Sequence, residues 1–278
     1  MGKMREFSLY VITGEQYHPG RSMLEVMEAA LAGGADIVQL REKNLPASEL
    51  LEKARALREL TRRYNVPFIV NDHPDIALAA EADGVHLGQE DMPIAEARER
   101  MGADRIIGIS THAIEEARAA ERDGADYIGV GPVFPTGTKP GRQAVTTSYV
   151  RQVADEIRIP WVAIGGITPD NADQVLAAGA SRLCAVSAVV GSSDPASVCR
   201  RLKEQIAAAR GELVPIKLNG REEQVRAGTL EQLIQSYGLA DKRIVAELDG
   251  AIVQRNRWES TQVRAGMTLE LVHFVGGG

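Results

Sequence analysis

The sequence predicts an α/β fold: an eight-stranded parallel (β/α)8 TIM barrel, with a small α+β domain behind it. Three observations predict it. Apolar, β-branched runs alternate with amphipathic helical stretches through the first 210 residues. The runs number eight, which is the strand count and span of a small TIM barrel. After Arg210 the alternation stops and a hairpin-rich order replaces it.

The strands are expected at residues 7–12, 37–40, 68–70, 84–87, 106–109, 127–130, 161–164 and 183–186. Their near-continuous apolar character fits burial on both faces, as in a parallel sheet. Between them, Met23, Leu24, Met27, Ala30 and Leu31 share one helical face. Leu50, Ala54 and Leu57 mark the second helix, and Val198, Leu202 and Ile206 the last, at i, i+4 and i+8. Pro169 and Pro195 are expected at first helical turns, where a missing N–H is harmless. Gly33-Gly34, Gly124 and Gly179 each precede a strand and read as helix C-caps. A doubly wound open sheet is the alternative, but no G-x-G-x-x-G follows the first strand.

Gly211-Glu212 reads as a linker, dividing the chain into residues 1–210 and 211–278. Asn219-Gly220 between two apolar runs is a two-residue hairpin signal. Thr229 and Gln232 fit a capping box, and Gly238 ends that helix. Asp249-Gly250 marks another turn, and Leu269, Leu271, Val272 and Phe274 form a last strand before Gly276-Gly277-Gly278. This order predicts a β-grasp, ubiquitin-like module.

Composition bounds the function. At 44% hydrophobic and 25% charged residues the chain is ordinary for a globular protein, not disordered or fibrous. No apolar run approaches the roughly 20 residues of a membrane span. The apolar run near the start is too short for a signal peptide, so the cytoplasm is expected. A net charge of −6 gives no basic footprint for nucleic acid. Cys184 and Cys199 show no C-x-x-C spacing and read as buried thiols.

Reactive groups of a TIM barrel gather where strands end. The second strand runs into Gln39-Leu40-Arg41-Glu42-Lys43, whose two cations suit a diphosphate; a solvated loop is the plainer reading. Asn71-Asp72 ends the third strand and Asp91 follows the fourth. Two neighbouring carboxylates suit magnesium, and each also suits a helix cap. His86, inside a strand, is expected to pack in the core. Ser110 ends the fifth strand. The sixth leads into a long loop carrying Thr136, Gly137, Thr138 and Lys139, which suits a lid. Gly165-Gly166 and Val186-Ser187 end the last two strands, the usual phosphate cradle of this barrel. The pattern implies a metal–diphosphate corner, a monophosphate corner and two phosphorylated substrates.

At these residues the chain resembles a family. Residues 39–43, 70–72, 84–91, 128–139 and 163–167 are similar, in order, to the signature blocks of thiamine-phosphate synthases, over about residues 5–208. The resemblance implies coupling of a hydroxymethylpyrimidine diphosphate to hydroxyethylthiazole phosphate with release of diphosphate. It assigns Asp72 and Asp91 to magnesium. It assigns Gln39, Leu40, Arg41, Glu42, Lys43, Asn71, Ser110 and Lys139 to the pyrimidine diphosphate. Thr136, Gly137, Thr138, Gly166, Val186 and Ser187 fall to the thiazole phosphate. Arg41, Lys43 and Lys139 are then the catalytic cations. Gly14, His73 and Gly137 depart from the family's usual residues.

Residues 214–278 resemble the sulfur carrier of thiazole biosynthesis. That resemblance implies an adenylating, sulfur-activating enzyme and a thiazole synthase as partners, with Gly278 carrying sulfur as a thiocarboxylate. The alternatives are a thiazole tautomerase-like barrel and a non-catalytic barrel scaffold that presents the carrier. A homo-oligomer is compatible with the sequence.

Overall fold

The protein is described by a computed structural model covering residues 6–136, 144–240 and 242–273. It divides into two units, Met1–Lys203 and Glu204–Gly278.

The first unit is a closed barrel of eight strands in sequence order. They are β1 (Leu9–Ile12), β2 (Ile37–Leu40), β3 (Phe68–Asn71), β4 (Gly84–Leu87), β5 (Ile106–Thr111), β6 (Tyr127–Val130), β7 (Trp161–Ile164) and β8 (Leu183–Ala185). Each pairs in parallel with the next, and β8 closes on β1 through Leu9–Leu183, Tyr10–Cys184 and Val11–Ala185. All eight expected strands form, with shifted ends. Phe7 lies before β1, Val186 lies beyond β8, and β3 and β5 extend to Asn71 and Thr111.

The intervening helices are α1 (Met23–Ala32), α2 (Ala47–Arg63), α3 (Pro74–Ala79), α4 (Ile94–Met101), α5 (Ile114–Arg122), α6 (Thr146–Glu156), α7 (Ala172–Leu176), α8 (Ser187–Val190) and α9 (Pro195–Arg210). Three helix expectations need correction. Leu24 is exposed, and Val26 takes its place beside Met23, Met27, Ala30 and Leu31. α7 begins at Ala172 rather than Pro169, because the Asn171 side chain holds a turn there, accepting from Thr168 N at 2.9 Å. On α9 Cys199, not Val198, joins Leu202 and Ile206 in burial. The glycine caps form: Gly34, Gly124 and Gly179 have φ of +99°, +86° and +102°. Each precedes an alanine N–H that bonds back to Ala30, Ala120 or Val175, the six-to-one closure of a Schellman turn.

An aspartate recurs at the start of even strands. Asp36 accepts from Ser8 N (2.8 Å) and Leu9 N (2.9 Å), Asp83 from Phe68 N (2.7 Å), and Asp126 from Ile107 N (2.8 Å). Each also meets a helix cation: Lys203, Arg58 and Arg98 respectively. These contacts pin neighbouring strands at the N-terminal rim, opposite the end where chemistry is expected. Inside the barrel, Phe7, Ile37, Ile69, Ile106 and Val162 pack with Tyr10, Ile12, Tyr127 and Cys184.

The second unit holds a five-stranded mixed sheet in the order β10-β9-β15-β12-β13. Its strands are β9 (Leu213–Leu218), β10 (Arg221–Arg226), β12 (Ile244–Leu248), β13 (Ala251–Val253) and β15 (Thr268–His273). A short pair, β11 (Gly228–Thr229) with β14 (Gln262–Val263), frames α10 (Leu230–Ser236). Asn219-Gly220 and Asp249-Gly250 make the hairpin turns, with φ of +45°, +78°, +49° and +85°. Thr229 and Gln232 form the full capping box. Leu230, Leu233 and Ile234 pack on Ile216, Ala246, Trp258 and Leu269, giving this unit its own core. It is the expected β-grasp fold. Phe274 and Gly276–Gly278 lie outside the described residues.

Candidate active site

Strand alternation decides which residues face the barrel axis. At the end of β2, Gln39 and Arg41 face a cavity at the C-terminal mouth, while Leu40 is buried on the other face and offers only its backbone. The same cavity gathers Asn71, Ser110, Thr136, Gly166, Val186 and Ser187. Eight of the expected site residues, from six different strand ends, therefore converge. Gly137, Thr138, Lys139 and Gly278 lie outside the described residues.

One rim of the mouth is charged. The Arg41 N–H donates to Thr13 Oγ1 at 2.9 Å, which fixes the strand end, and Arg41 Nε is buried without a hydrogen-bond partner. Lys43 Nζ is 3.6 Å from Asp72 Oδ2. Asp72 has φ of +63°, and its N–H bonds to the His86 carbonyl at 2.9 Å. Burial and the neighbouring Asp91 carboxylate push the Asp72 carboxyl up, against the pull of Lys43 and Arg41. Asp91 accepts from Gly88 N at 2.6 Å. Neither acid caps a helix: the N-caps of α3 and α4 are His73 and Pro93, so the capping alternative fails. Glu42 turns instead to the β1 loop, accepting from Glu15 N at 3.3 Å, and burial raises its carboxyl. Gly14 stands in that loop, where a Cβ would lie 2.9 Å from the Tyr17 ring.

The opposite rim is small and neutral. Gly165 and Gly166 have φ of +103° and +65°. The loop after β6 docks on them, Val133 N bonding to Ile164 O (2.9 Å) and Phe134 N to Gly165 O (3.0 Å). Asn171 Nδ2 holds the Gly166 carbonyl at 2.8 Å. Val186 and Ser187 complete this side at the start of α8.

The floor holds residues that the sequence reading missed. His86 is not a core side chain; it is half-buried, lines the cavity and bonds to Tyr127 OH and Ser110 Oγ, each at 2.9 Å. Tyr10, Tyr127 and His112 line the cavity as well. Mid-strand glycines signal them. A Cβ at Gly108 would fall 2.1 Å from the Tyr127 ring, and one at Gly129 would fall 3.4 Å from His86. Glycine inside a strand marks such close approaches. Cys184 and Cys199 are both buried free thiols, as expected. Burial raises Cys184, Tyr10 and Tyr127 far beyond physiological pH, so none of these lining groups is an activated nucleophile.

The comparisons agree with this fold. Residues 9–189 match the thiamine monophosphate synthase family and residues 214–278 the ThiS family. The thiamine-phosphate synthase of Halalkalibacterium halodurans is 58% identical over 197 residues, covering 70% of this chain and 93% of that protein. That of Moorella thermoacetica is 50% identical over 209 residues, covering 75% of this chain and 100% of that protein. The solved thiamine phosphate pyrophosphorylase of Pyrococcus furiosus is 42% identical, with a TM-score of 0.68 over 74% of this chain and 98% of that one. A barrel of this topology, a mouth of this composition and these matches have one conclusion: the chain belongs to the thiamine monophosphate synthase family and carries a ThiS-family sulfur carrier domain C-terminal to its barrel in the sequence.

Proposed function

We propose that the barrel couples 4-amino-5-hydroxymethyl-2-methylpyrimidine diphosphate to hydroxyethylthiazole phosphate, giving thiamine phosphate and diphosphate. The observation that carries this reading is one cavity with a charged rim at Arg41 and a small neutral rim at Gly166 and Ser187. The pyrimidine diphosphate falls to Gln39, Arg41, Lys43, Asn71, Ser110 and Lys139, with Leu40 and Glu42 holding the strand end through backbone and loop contacts. The thiazole phosphate falls to residues 136–138, Gly166, Val186 and Ser187.

The paired carboxylates of Asp72 and Asp91, beside a buried Arg41 Nε, fit a divalent cation and would hold it at the diphosphate end of the site. Magnesium held there would supply positive charge to a departing diphosphate. Arg41, Lys43 and Lys139 add donors to the same oxygens. The C–O bond to the pyrimidine methylene breaks with its electron pair on diphosphate. The aminopyrimidine ring delocalises the positive charge, and the thiazole nitrogen lone pair forms the new C–N bond. No protein nucleophile enters this scheme; positioning and electrostatics carry it.

For the second unit, the reading is that Gly278 is the acceptor of sulfur. An adenylating enzyme converts its carboxylate to an acyl-adenylate with loss of diphosphate from ATP. A sulfur donor then displaces AMP, and the thiocarboxylate serves a thiazole synthase. The functional modules are residues 1–210 and 211–278. The ligands are small phosphorylated heterocycles, nucleic acid and membrane are not among the partners, and the cytoplasm is the expected location. The test is diphosphate release by the full chain with both heterocycles and magnesium. Release that requires all three supports the reading, and no release with authentic substrates overturns it.

A further inference from the structure

A polar chain crosses the barrel floor and lines the bottom of the cavity. Gln39 Nε2 donates to Tyr10 OH (2.8 Å), Tyr10 OH meets Tyr127 OH (2.8 Å), Tyr127 OH meets His86 Nδ1 (2.9 Å), and His86 Nε2 meets Ser110 Oγ (2.9 Å). Five strands supply one residue each: β2, β1, β6, β4 and β5. Tyr10 and Tyr127 are 1% and 0% exposed, so no bulk water competes for their hydroxyls.

Donor counting gives the chain a direction. An amide NH2 only donates, so Tyr10 accepts from Gln39 and spends its one hydrogen on Tyr127. Tyr127 accepts that hydrogen and spends its own on His86 Nδ1. With Nδ1 accepting, the ring hydrogen of the neutral imidazole sits on Nε2 and is donated to Ser110 Oγ. The Ser110 hydroxyl hydrogen then points away from His86. Turning the Gln39 amide over would reverse every bond and move the ring hydrogen to Nδ1.

We propose that Tyr10 and Tyr127 are positioning residues. Their hydroxyl pair relays the Gln39 amide orientation to His86 and holds its Nε2–H tautomer, with Ser110 Oγ accepting from that ring N–H and Gln39 Oε1 left as an acceptor toward a heteroaromatic substrate. This rests on the pyrimidine reading of the cavity for its consequence, but not for the tautomer. Tyr10 and Tyr127 act through Gln39, His86 and Ser110.

The experiment uses the full chain, ring-¹⁵N-labelled at its five histidines, with the His86→Gln variant to assign the His86 signals. At pH 8 the expected spectrum has His86 Nε2 protonated and Nδ1 bare. The Tyr127→Phe variant keeps the ring and removes only the hydroxyl. It is expected to shift His86 toward a tautomer mixture, to retain the wild-type melting temperature within a few degrees, and to lower kcat/KM for the pyrimidine diphosphate on the order of tenfold, the size of one lost hydrogen bond. KM for the thiazole phosphate is expected to stay unchanged. Tyr10→Phe breaks the same chain, so the double variant is expected to lose no more than either single one. A wild-type Nδ1–H tautomer, or additive losses in the double variant, would overturn the proposal. If Tyr127→Phe unfolds, the wild-type tautomer still decides it. A correct tautomer in a chain that releases no diphosphate would sink the catalytic reading alone.

Discussion

Gly165 shows how one residue holds two loops together. Its φ is +103°, and a Cβ there would lie 2.4 Å from Pro132 Cα, a backbone atom that cannot yield. Gly165→Ala is expected to lose about 1–3 kcal/mol of stability through forced backbone strain, with a loss of turnover as the loop after β6 shifts. Urea unfolding and coupling assays check it, and a variant as stable as wild type would show that the loop yields. The acidic corner makes the opposite trade. Burial and Asp91 both raise the Asp72 carboxyl, so the pair is electrostatically opposed in the folded barrel. Asp91→Asn is therefore expected to leave melting temperature unchanged or higher. Magnesium-dependent diphosphate release is expected to fall by roughly 100-fold or more, several kcal/mol of charge stabilisation. Full turnover in Asp72→Asn and Asp91→Asn would remove both from the metal assignment.

At the scale of elements, the strand starts matter as much as the strand ends. Asp36 precedes β2, takes N–H donors from Ser8 and Leu9, and bonds Lys203 Nζ at 2.8 Å through both oxygens. Burial raises its carboxyl, but the Lys203 and backbone hydrogen bonds win and hold it below the usual carboxylate range. A depressed folded value means that the unfolded chain binds the proton first as pH falls. The stability this group contributes is thus fully present above the ordinary aspartate value, near 3.9, and is lost as pH drops through the lower folded value. Asp36→Asn is expected to be less stable than wild type at pH 7, with the gap narrowing in acid. Urea midpoints at pH 7 and below pH 3 measure it; a gap independent of pH would assign the effect to packing. The repeat at Asp83 and Asp126 makes the same contact through Arg58 and Arg98. β8 has Arg182 directly before it, stacked 5.2 Å from the Phe7 ring, where the other even strands have aspartate.

For the whole molecule, each unit has its own core. The barrel interior packs around Tyr10, Ile69 and Tyr127, and the second unit around Leu230, Trp258 and Leu269. A chain of residues 1–210 is therefore expected to fold and to couple the two heterocycles at the full-chain rate. An insoluble or inactive truncation would show that the barrel needs its carrier. Deleting Gly277-Gly278 is expected to abolish sulfur loading and leave coupling untouched. Intact-mass spectrometry with an activating enzyme, ATP and a sulfur donor reads the loading directly. Wild-type protein that stays at its original mass with a proven partner enzyme would remove the carrier role.

The sequence alone determined the strand and helix order, the hairpin turns at Asn219 and Asp249, and the convergence of Arg41, Asn71 and Ser187 on one barrel mouth. These follow from local physics: alternation, capping and turn chemistry act over a few residues, and a barrel puts every strand end on one face. Only the tertiary structure decided that Leu24 is exposed, that Asp72 and Asp91 oppose each other instead of capping helices, and that His86 belongs to the cavity floor. His86 sits in an apolar run, and no local signal tells the axis-facing side of such a strand from the helix-facing side, because both are buried. The partner that settles it, Tyr127, is 41 residues away and reaches His86 because Gly108 and Gly129 leave room for both rings.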